Sequence, residues 1–235
     1  MSSRDKFETY KNVFDEKTLR VLFKLESEGY FEELRSPISI GKESNVFSAI
    51  TKDKKYVCVK IYRINSADFR KMYNYIASDP RFDGLQKKRR QIIFAWAQRE
   101  YRNLLIAHEF NVRVPKPLAV KDNVLVEEFV GDNGNAAPRL KDMEPKDIKK
   151  FSQDLIKNVM NMYKAELIHG DLSEFNILNY NNKPIIIDFS HGVKLNYPSA
   201  NELLERDIKN LQRYFSKRKI NINLHEVLRK IKNGI

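Results

Sequence analysis

Residues 169–190 read HGDLSEFNILNYNNKPIIIDFS. Two carboxylates, Asp171 and Asp188, and one amide, Asn176, stand around what reads as a strand, a turn and a strand. Any one of them alone would be an ordinary turn, loop or strand-end residue. Together they form Asp-x-x-x-x-Asn, a hairpin, and then Asp-Phe, with His169-Gly170 in front.

That order and spacing is the phosphoryl-transfer arrangement of protein kinases. The chemistry explains the residue types. One carboxylate must accept or orient the proton of a nucleophile, so it belongs on a loop facing the reactants; Asp171 is the candidate. An amide oxygen and a second carboxylate suit Mg²⁺, a hard cation that prefers oxygen ligands; Asn176 and Asp188 are the candidates, held apart at a fixed distance by the hairpin. Bound there, Mg²⁺ bridges phosphates and offsets the charge that develops in transfer.

The rest of the chain supplies an ordinary globular frame. Of its 235 residues 42% are hydrophobic and 31% charged, enough for a sizeable core and a well-solvated surface. The 43 Lys and Arg against 31 Asp and Glu leave a net charge of +12, which favours a polyanionic partner, nucleic acid ahead of a membrane surface. A single cysteine, Cys58, excludes an internal disulfide and suits a reducing compartment. The start, MSSRDKFETYKNVFDEK, lacks the apolar core of a signal peptide, and no apolar run approaches the ~18 residues of a membrane span. A soluble cytoplasmic protein is expected.

A first helix is predicted over about Asp15 to Glu28, capped by Asp15, closed by Gly29 and striped with Leu19, Leu22 and Leu25. PISIGKESNVFSAI and YVCVKIYRI, joined by TKDKK, predict three antiparallel strands, and VRVPKPLAV and NVLVEEFVG two more of the same sheet. The segment Ser66 to Phe82 is mixed, and DPRFDG reads as a loop. From about Gln86 to Glu109 a helix is expected, with Ile93, Ala97, Leu104 and Ala107 on one face. GDNGNAAPRL is rich in turn formers and marks a linker. Beyond it, Ile148, Phe151, Leu155, Val159 and Met162 predict an amphipathic helix starting near Asp147, and two more helices are expected near Ala200–Phe215 and Leu224–Lys232. Five strands with one helix, then a mostly helical half, make a two-lobed α+β protein with an extra N-terminal helix. The expected division is an extension over 1–35, a first lobe over 36–131, a linker over 132–139 and a second lobe over 140–235.

Two further residues stand out. Lys60 ends the apolar run VCVK on the strand face of Tyr56 and Cys58, and Glu100 falls on the apolar face of its helix. A buried carboxylate needs a cation, so the two oddities explain each other as an ion pair, with Glu109 the weaker alternative. A kinase needs such a lysine to hold ATP phosphates. SIGKESNVF has one glycine, Gly41, and fails the pattern G-x-G-x-x-G; its backbone amides with Ser39, Lys42 and Ser44 could still cover phosphates. The basic clusters Lys87-Lys88-Arg89-Arg90, Lys217-Arg218-Lys219 and Arg229-Lys230 read as solvated faces that permit an RNA surface without locating one. Cys58 reads as a strand filler and His169 as a support of the catalytic loop, while His191 has no evident role.

At this point the chain resembles the RIO family of atypical protein kinases. SIGKESNVF is similar to that family's S-T-G-K-E-A phosphate loop, HGDLSEFNIL to its H-G-D-L-S-E-Y-N catalytic loop, and IIIDFSHGV to its I-D-x-x-Q-A-V metal loop. KIYRINSADFRKM, QREYRNL, VEEFVG and LERDIKNLQRYF match as well, so the resemblance runs from about Asp15 to near the end. It is closest to the type-one branch as found in archaea. The type-two branch carries an N-terminal winged helix, for which there is no room before Ser39. Ile40 replaces a threonine, Ser44 an alanine, His191 a glutamine and Gly192 an alanine.

The resemblance implies a kinase-like fold, Asp171 as catalytic base, Asn176 and Asp188 as metal ligands, Lys60 on the ATP phosphates, and backbone contacts to adenine near Glu128 and Val130. It implies ATP and Mg²⁺, with Mn²⁺ as a substitute, and a role in maturation of the small ribosomal subunit. Asp188 would be able to take up phosphate as an aspartyl phosphate. A conventional protein kinase spends far more chain after its metal-loop aspartate, so two functions are expected to compete: a serine/threonine protein kinase, and an ATP-driven assembly factor that binds the ribosomal precursor. A small-molecule kinase of the aminoglycoside phosphotransferase type shares the H-G-D loop but lacks SIGKES.

Overall fold

The computed structural model describes residues 14–65 and 69–233. The N-terminal stretch in which no signal peptide is expected, and residues 66–68 of the mixed segment, lie outside the described residues. The chain forms two compact units. One holds the described residues up to Tyr73 with Leu85–Gln98 and Pro117–Phe129; the other holds Asn74–Gly84, Arg99–Lys116 and the chain from Val130 onward.

The first unit begins with α1 (Glu16–Ser27). Asp15 caps it by accepting from Lys17 N and Thr18 N at 3.1 and 3.2 Å, and Gly29 takes the left-handed φ of 85° just past its end. Leu19, Leu22 and Leu25 are buried, packed in one cluster with Val59 and Val126 of the sheet. That sheet is antiparallel, in the order β1-β2-β3-β5-β4, from β1 (Glu33–Ile40), β2 (Ser44–Ile50), β3 (Tyr56–Tyr62), β4 (Pro117–Lys121) and β5 (Val124–Glu128). Pro37 sits on the edge strand β1, where the missing N–H breaks no ladder and the register shifts around it. Central β3 is buried on both faces from Val57 to Tyr62, so its pattern is continuous rather than alternating. Buried Asn123 donates to Tyr62 O and Thr18 Oγ1 at 2.8 and 3.0 Å, which ties α1 to the sheet.

The mixed segment is more ordered than a loop. It holds α2 (Phe69–Ala77), whose Met72 and Ile76 are buried, and DPRFDG contains a single 3₁₀ turn, Pro80–Phe82. Asp79 caps that turn and Pro80 opens it, a local signal stronger than the turn-former composition. The long helix is α3 (Arg89–Glu109), with Ile93, Ala97, Leu104 and Ala107 all fully buried. It starts three residues later than the sequence pattern alone indicates, after a turn in which Lys88 N reaches Gln86 O.

In the second unit the stretch expected as a linker forms a tiny hairpin, β6 (Gly131–Asp132) with β7 (Asn135–Ala136), turned by Asn133 and Gly134 at φ 51° and 81°. Then comes α4 (Ile148–Lys164), capped by Asp147 on Lys150 N at 2.9 Å. β8 (Leu167–Ile168) pairs with β11 (Val193–Lys194), and β9 (Ile177–Tyr180) with β10 (Lys183–Ile186). Asn181 and Asn182, at φ 53° and 59°, make the two-residue turn of that second hairpin. α5 (Ala200–Ser216) and α6 (Leu224–Asn233) end the described chain. The architecture is α+β. Among the described residues no helix is long and apolar enough to cross a membrane.

Candidate active site

The β9–β10 hairpin carries two of the candidate residues at its open end. Ile177 pairs with Ile186, and one step further Ile187 N donates to Asn176 O at 3.0 Å, so the ladder runs on to the residue before Asp188. Asn176 and Asp188 therefore leave the two arms of one short, register-locked ladder. On the other side Asn176 Nδ2 donates to the carbonyl oxygen and to Oδ2 of Asp171, at 2.9 and 3.1 Å. Its nitrogen is thus turned toward Asp171, which leaves Oδ1 as the end of the amide able to ligate a cation. Asp171 itself is exposed.

Asp188 has φ 65° and ψ 67°, a left-handed conformation that side-chain-bearing residues seldom adopt and that persists only where its surroundings impose it. Those surroundings are visible. Ser190 Oγ donates to Asp188 Oδ1 at 2.8 Å, and the 3₁₀ turn Phe189–His191 closes with Gly192 N on Phe189 O at 3.0 Å. Phe189 is fully buried and meets the His169 ring edge-on, 4.7 Å between centroids. His169 supports the loop, as expected: Nδ1 accepts from Asp171 N at 3.3 Å, so Nε2 carries the hydrogen and donates to Ile187 O at 3.0 Å. One buried ring joins the residue of the candidate base to the residue beside the candidate ligand. Gly170 between them has φ 77°, and a Cβ there would lie 2.7 Å from His191 O.

The other support of this loop comes from α5, which motif reading alone overlooks. Asp207, buried, accepts from Gly170 N on Oδ2 at 2.8 Å and from Leu172 N on Oδ1 at 2.9 Å. Arg206 donates to Gly170 O, and Asn210 Nδ2 to Leu172 O at 3.2 Å. Burial pushes the Asp207 carboxyl up to about 7, against the two amide bonds and the Arg206 charge. A signal was present. Asp207 shares the apolar face of Leu203, Leu204, Ile208 and Leu211, the same oddity that singles out Glu100. His191, which has no evident role in sequence, sits edge-on to Tyr75 at 5.3 Å; burial depresses its imidazole pKa, with the Asp188 and Asp171 carboxylates opposing.

The remaining candidates divide between the units. Lys60 lies on β3, opposite Val46 and Leu125, only 7% exposed, with Nζ 5.2 Å from the centre of the Tyr62 ring. Ser39 ends β1, Ser44 opens β2, and between them Gly41 N donates to Ser44 O at 2.9 Å with Lys42 exposed. Glu128 closes β5. Glu100, 1% exposed on α3, and Val130, whose carbonyl accepts from Ala137 N, belong to the other unit with Asp171, Asn176 and Asp188.

Comparison with known proteins gives the family. A model of the RIO domain matches residues 45–227. The chain belongs to the RIO family of atypical protein kinases. It is 41% identical over 95% of its length to the RIO-type serine/threonine-protein kinase Rio1 of Methanocaldococcus jannaschii, covering 77% of that protein. It is 38% identical over 92% of its length to the Rio1 of Haloferax volcanii, covering 74%. The human serine/threonine-protein kinase RIO1 is 33% identical over 90% of the chain, which spans 38% of that longer protein. These relatives agree with the type-one resemblance, and the chain is a serine/threonine-protein kinase of the RIO type. The Rio2 kinase of Chaetomium thermophilum, solved as an ADP/Mg²⁺–phosphoaspartate complex, superposes with a TM-score of 0.70 at 23% identity. That match covers 89% of this chain and 65% of the other, and it shows a shared kinase-like fold.

Proposed function

We propose that this RIO kinase uses ATP and Mg²⁺ to phosphorylate serine, also hydrolyses ATP, and acts in the cytoplasm on precursors of the small ribosomal subunit. The observation that carries the catalytic part is the hydrogen-bonded unit of Asp171 and Asn176, joined through the Ile187–Asn176 ladder bond to Asp188. Asp171 accepts the proton of the attacking hydroxyl while its oxygen bonds the γ-phosphorus and the bond to the ADP oxygen breaks. The donor set fits Mg²⁺: a half-buried carboxylate and an amide oxygen are hard ligands. Among the described residues no group of three or more His, Cys, Asp or Glu could hold a metal by itself, which suits an ion that shares its shell with nucleotide phosphates. Asn176 and Asp188 would hold Mg²⁺ (or Mn²⁺), which would offset charge on the transferring group. Lys60 is assigned to the phosphates, with Glu100 as its counter-charge. Ser39, Lys42 and Ser44 cover the phosphates, and the backbone at Glu128 and Val130 takes the adenine.

A second reading rests on Asp188 as acceptor, supported by the phosphoaspartate of the Rio2 complex that shares this fold. The carboxylate oxygen bonds the γ-phosphorus, ADP leaves, and water then attacks phosphorus, releasing phosphate and regenerating the carboxylate. In that mode the enzyme is an ATPase whose cycle times release from a ribosomal precursor, with the net charge of +12 suiting an RNA-rich partner. The two readings separate by the chemistry of the bound label. With γ-labelled ATP and saturating Mg²⁺, an acyl phosphate is released by hydroxylamine and is lost in Asp188→Asn, whereas phosphoserine resists hydroxylamine. Label of the first kind supports the ATPase, and label of the second kind on serine supports the kinase. Absence of both, with no ATP turnover, would overturn the proposal.

A further inference from the structure

Asp188 needs something to hold it in the left-handed region, and the turn behind it is gripped from the side by a network that the reaction itself does not use. Asn103, fully buried on α3, donates through Nδ2 to both Phe189 O and Gly192 O, each at 2.9 Å. These are the carbonyl at the start of the turn and the one just past its end. The orientation of this amide is unambiguous. Arg81 Nη1 donates to Asn103 Oδ1 at 2.8 Å, and an arginine can only donate, so the oxygen must face Arg81 and the nitrogen must face the turn. Arg81 is aimed in turn by Asp79, which takes its Nε and Nη2 at 2.9 and 2.7 Å. Arg99, also fully buried, donates from Nε to the same Gly192 O at 3.1 Å and stands 3.4 Å from Asp79 Oδ2.

The fit depends on a missing side chain. A Cβ at residue 192 would meet Asn103 Nδ2 at 2.7 Å, Phe189 O at 3.1 Å and Asn103 Cγ at 3.3 Å. The Gly192 backbone (φ −61°, ψ 133°) is one that any residue adopts, so conformation is not why glycine stands here. Room for the Asn103 amide is.

We propose that Asn103 is a positioning residue for Asp188, and that in this chain Gly192, standing where the resembled family pattern has alanine, is the position that admits it at this distance. Oriented by Asp79 and Arg81, the Asn103 amide clamps both ends of the Phe189–His191 turn and so fixes the Asp188 carboxylate for metal. The inference rests on Asp188 being a metal ligand. Partners behind a ligand commonly govern metal affinity by about 10- to 100-fold.

The test is a double-substitution cycle on the full chain with two readouts. One is direct Mn²⁺ titration in the presence of ADP, followed by electron paramagnetic resonance; the other is amide hydrogen exchange at Gly192 N, in the metal-free protein. Asn103→Ala should weaken Mn²⁺ binding by about 10-fold or more and speed Gly192 exchange. Asn103→Asp keeps the acceptor for Arg81 but turns an oxygen toward two carbonyls, and should do the same with little change of volume. Gly192→Ala should weaken Mn²⁺ binding in the native background but have little further effect in Asn103→Ala, where the obstructed amide is gone. A merely structural role predicts equal Gly192→Ala effects in both backgrounds. That result, or native Mn²⁺ affinity in folded Asn103→Ala or Asn103→Asp, would overturn the inference. Asp188→Ala is the control: if it too leaves Mn²⁺ binding unchanged, the assignment of Asp188 as a ligand has failed rather than the clamp.

Discussion

The side-chain amide of Asn176 is bound to Asp171 twice, to its carbonyl at 2.9 Å and its carboxylate at 3.1 Å. The residue expected to hold metal is therefore also the residue that orients the expected base. Asp171→Ala should lower turnover by about 10²-fold or more, as loss of a general base does, with a small change in the Mg²⁺ dependence. Asn176→Ala should lower turnover and also raise the Mg²⁺ concentration at half-saturation, because it removes a ligand and releases Asp171 together. Steady-state ATP turnover against Mg²⁺ separates the two variants. Identical Mg²⁺ profiles for both would contradict the dual role of Asn176.

The expected partnership of Lys60 and Glu100 makes a second prediction. Both are buried, 7% and 1% exposed, and removing one member of a buried ion pair costs about 3–5 kcal/mol because the other charge is stranded. If the proposed pair forms, each alanine variant should be strongly destabilised, and the double variant by clearly less than the sum, with a coupling of about 1 kcal/mol or more. Urea unfolding of the four proteins gives that coupling. Additive effects would mean that each charge is balanced elsewhere.

How much of the fold and site is legible in the sequence? Elements with a strong period were legible, because periodicity reports burial directly: α1, α4 and the five-stranded sheet stand where Leu19, Phe151 and the VCVK run put them. The segment after Ser66 was not, because α2 is short and its buried contacts are few, Met72 and Ile76. Asp171, Asn176 and Asp188 were found as a motif. The groups behind them were not, since Asp207 and Asn103 act on backbone amides and carbonyls far away in sequence, with Arg81 and Asp79 aligned behind Asn103, and backbone partners leave no pattern in residue identity. Only the placement of a polar residue on an apolar helix face betrays them, as Asp207 does on α5.

Gly170 supplies a third prediction. Its φ of 77° strains any residue with a Cβ, and that Cβ would lie 2.7 Å from the carbonyl oxygen of His191. Gly170→Ala should destabilise the protein by about 1–3 kcal/mol from backbone strain alone and lower turnover, because the displaced loop carries Asp171. Thermal melting and turnover check both. Unchanged melting would show that the loop relaxes freely.

Asp207 makes the stability of the protein depend on pH. Burial raises its folded-state carboxyl to about 7 from an ordinary value of 3.8, with the amides of Leu172 and Gly170 opposing. Between those limits the unfolded chain has lost a proton that the folded chain keeps. The group's contribution to stability is therefore complete below about pH 4 and is lost as pH rises through about 7. Asp207→Asn does not titrate, so the stability difference, native minus variant, should fall across that window and level off above it. Urea unfolding at intervals from pH 4 to 8 measures the slope. A difference that stays flat or rises would mean that the two amide bonds and Arg206 outweigh burial.

The last prediction concerns the partner. Each of the three basic clusters has a member beside a carboxylate: Arg218 by Glu144 at 2.7 Å, Lys230 by Glu226 at 2.6 Å and Arg90 by Asp15 at 3.7 Å. The other members of the Arg90 cluster are different. Lys87 lies 5.1 Å over the Tyr73 ring and Arg89 5.0 Å over Phe69, contacts that align a cation without neutralising it, and both remain exposed, as does Lys88. If ribosomal RNA is the partner, binding to immature small subunits should fall steeply with salt through counterion release. The log–log slope should be near −0.7 for each phosphate contacted on single strands. Replacing Lys87, Lys88 and Arg89 by glutamine should make that slope shallower by about 2 while leaving ATP turnover by the isolated protein unchanged. The same triple substitution at Lys217, Arg218 and Lys219 should change it less, since one of those charges already has a partner. A slope near zero in the native protein, or one indifferent to the first substitution set, would remove this cluster from the proposed RNA surface.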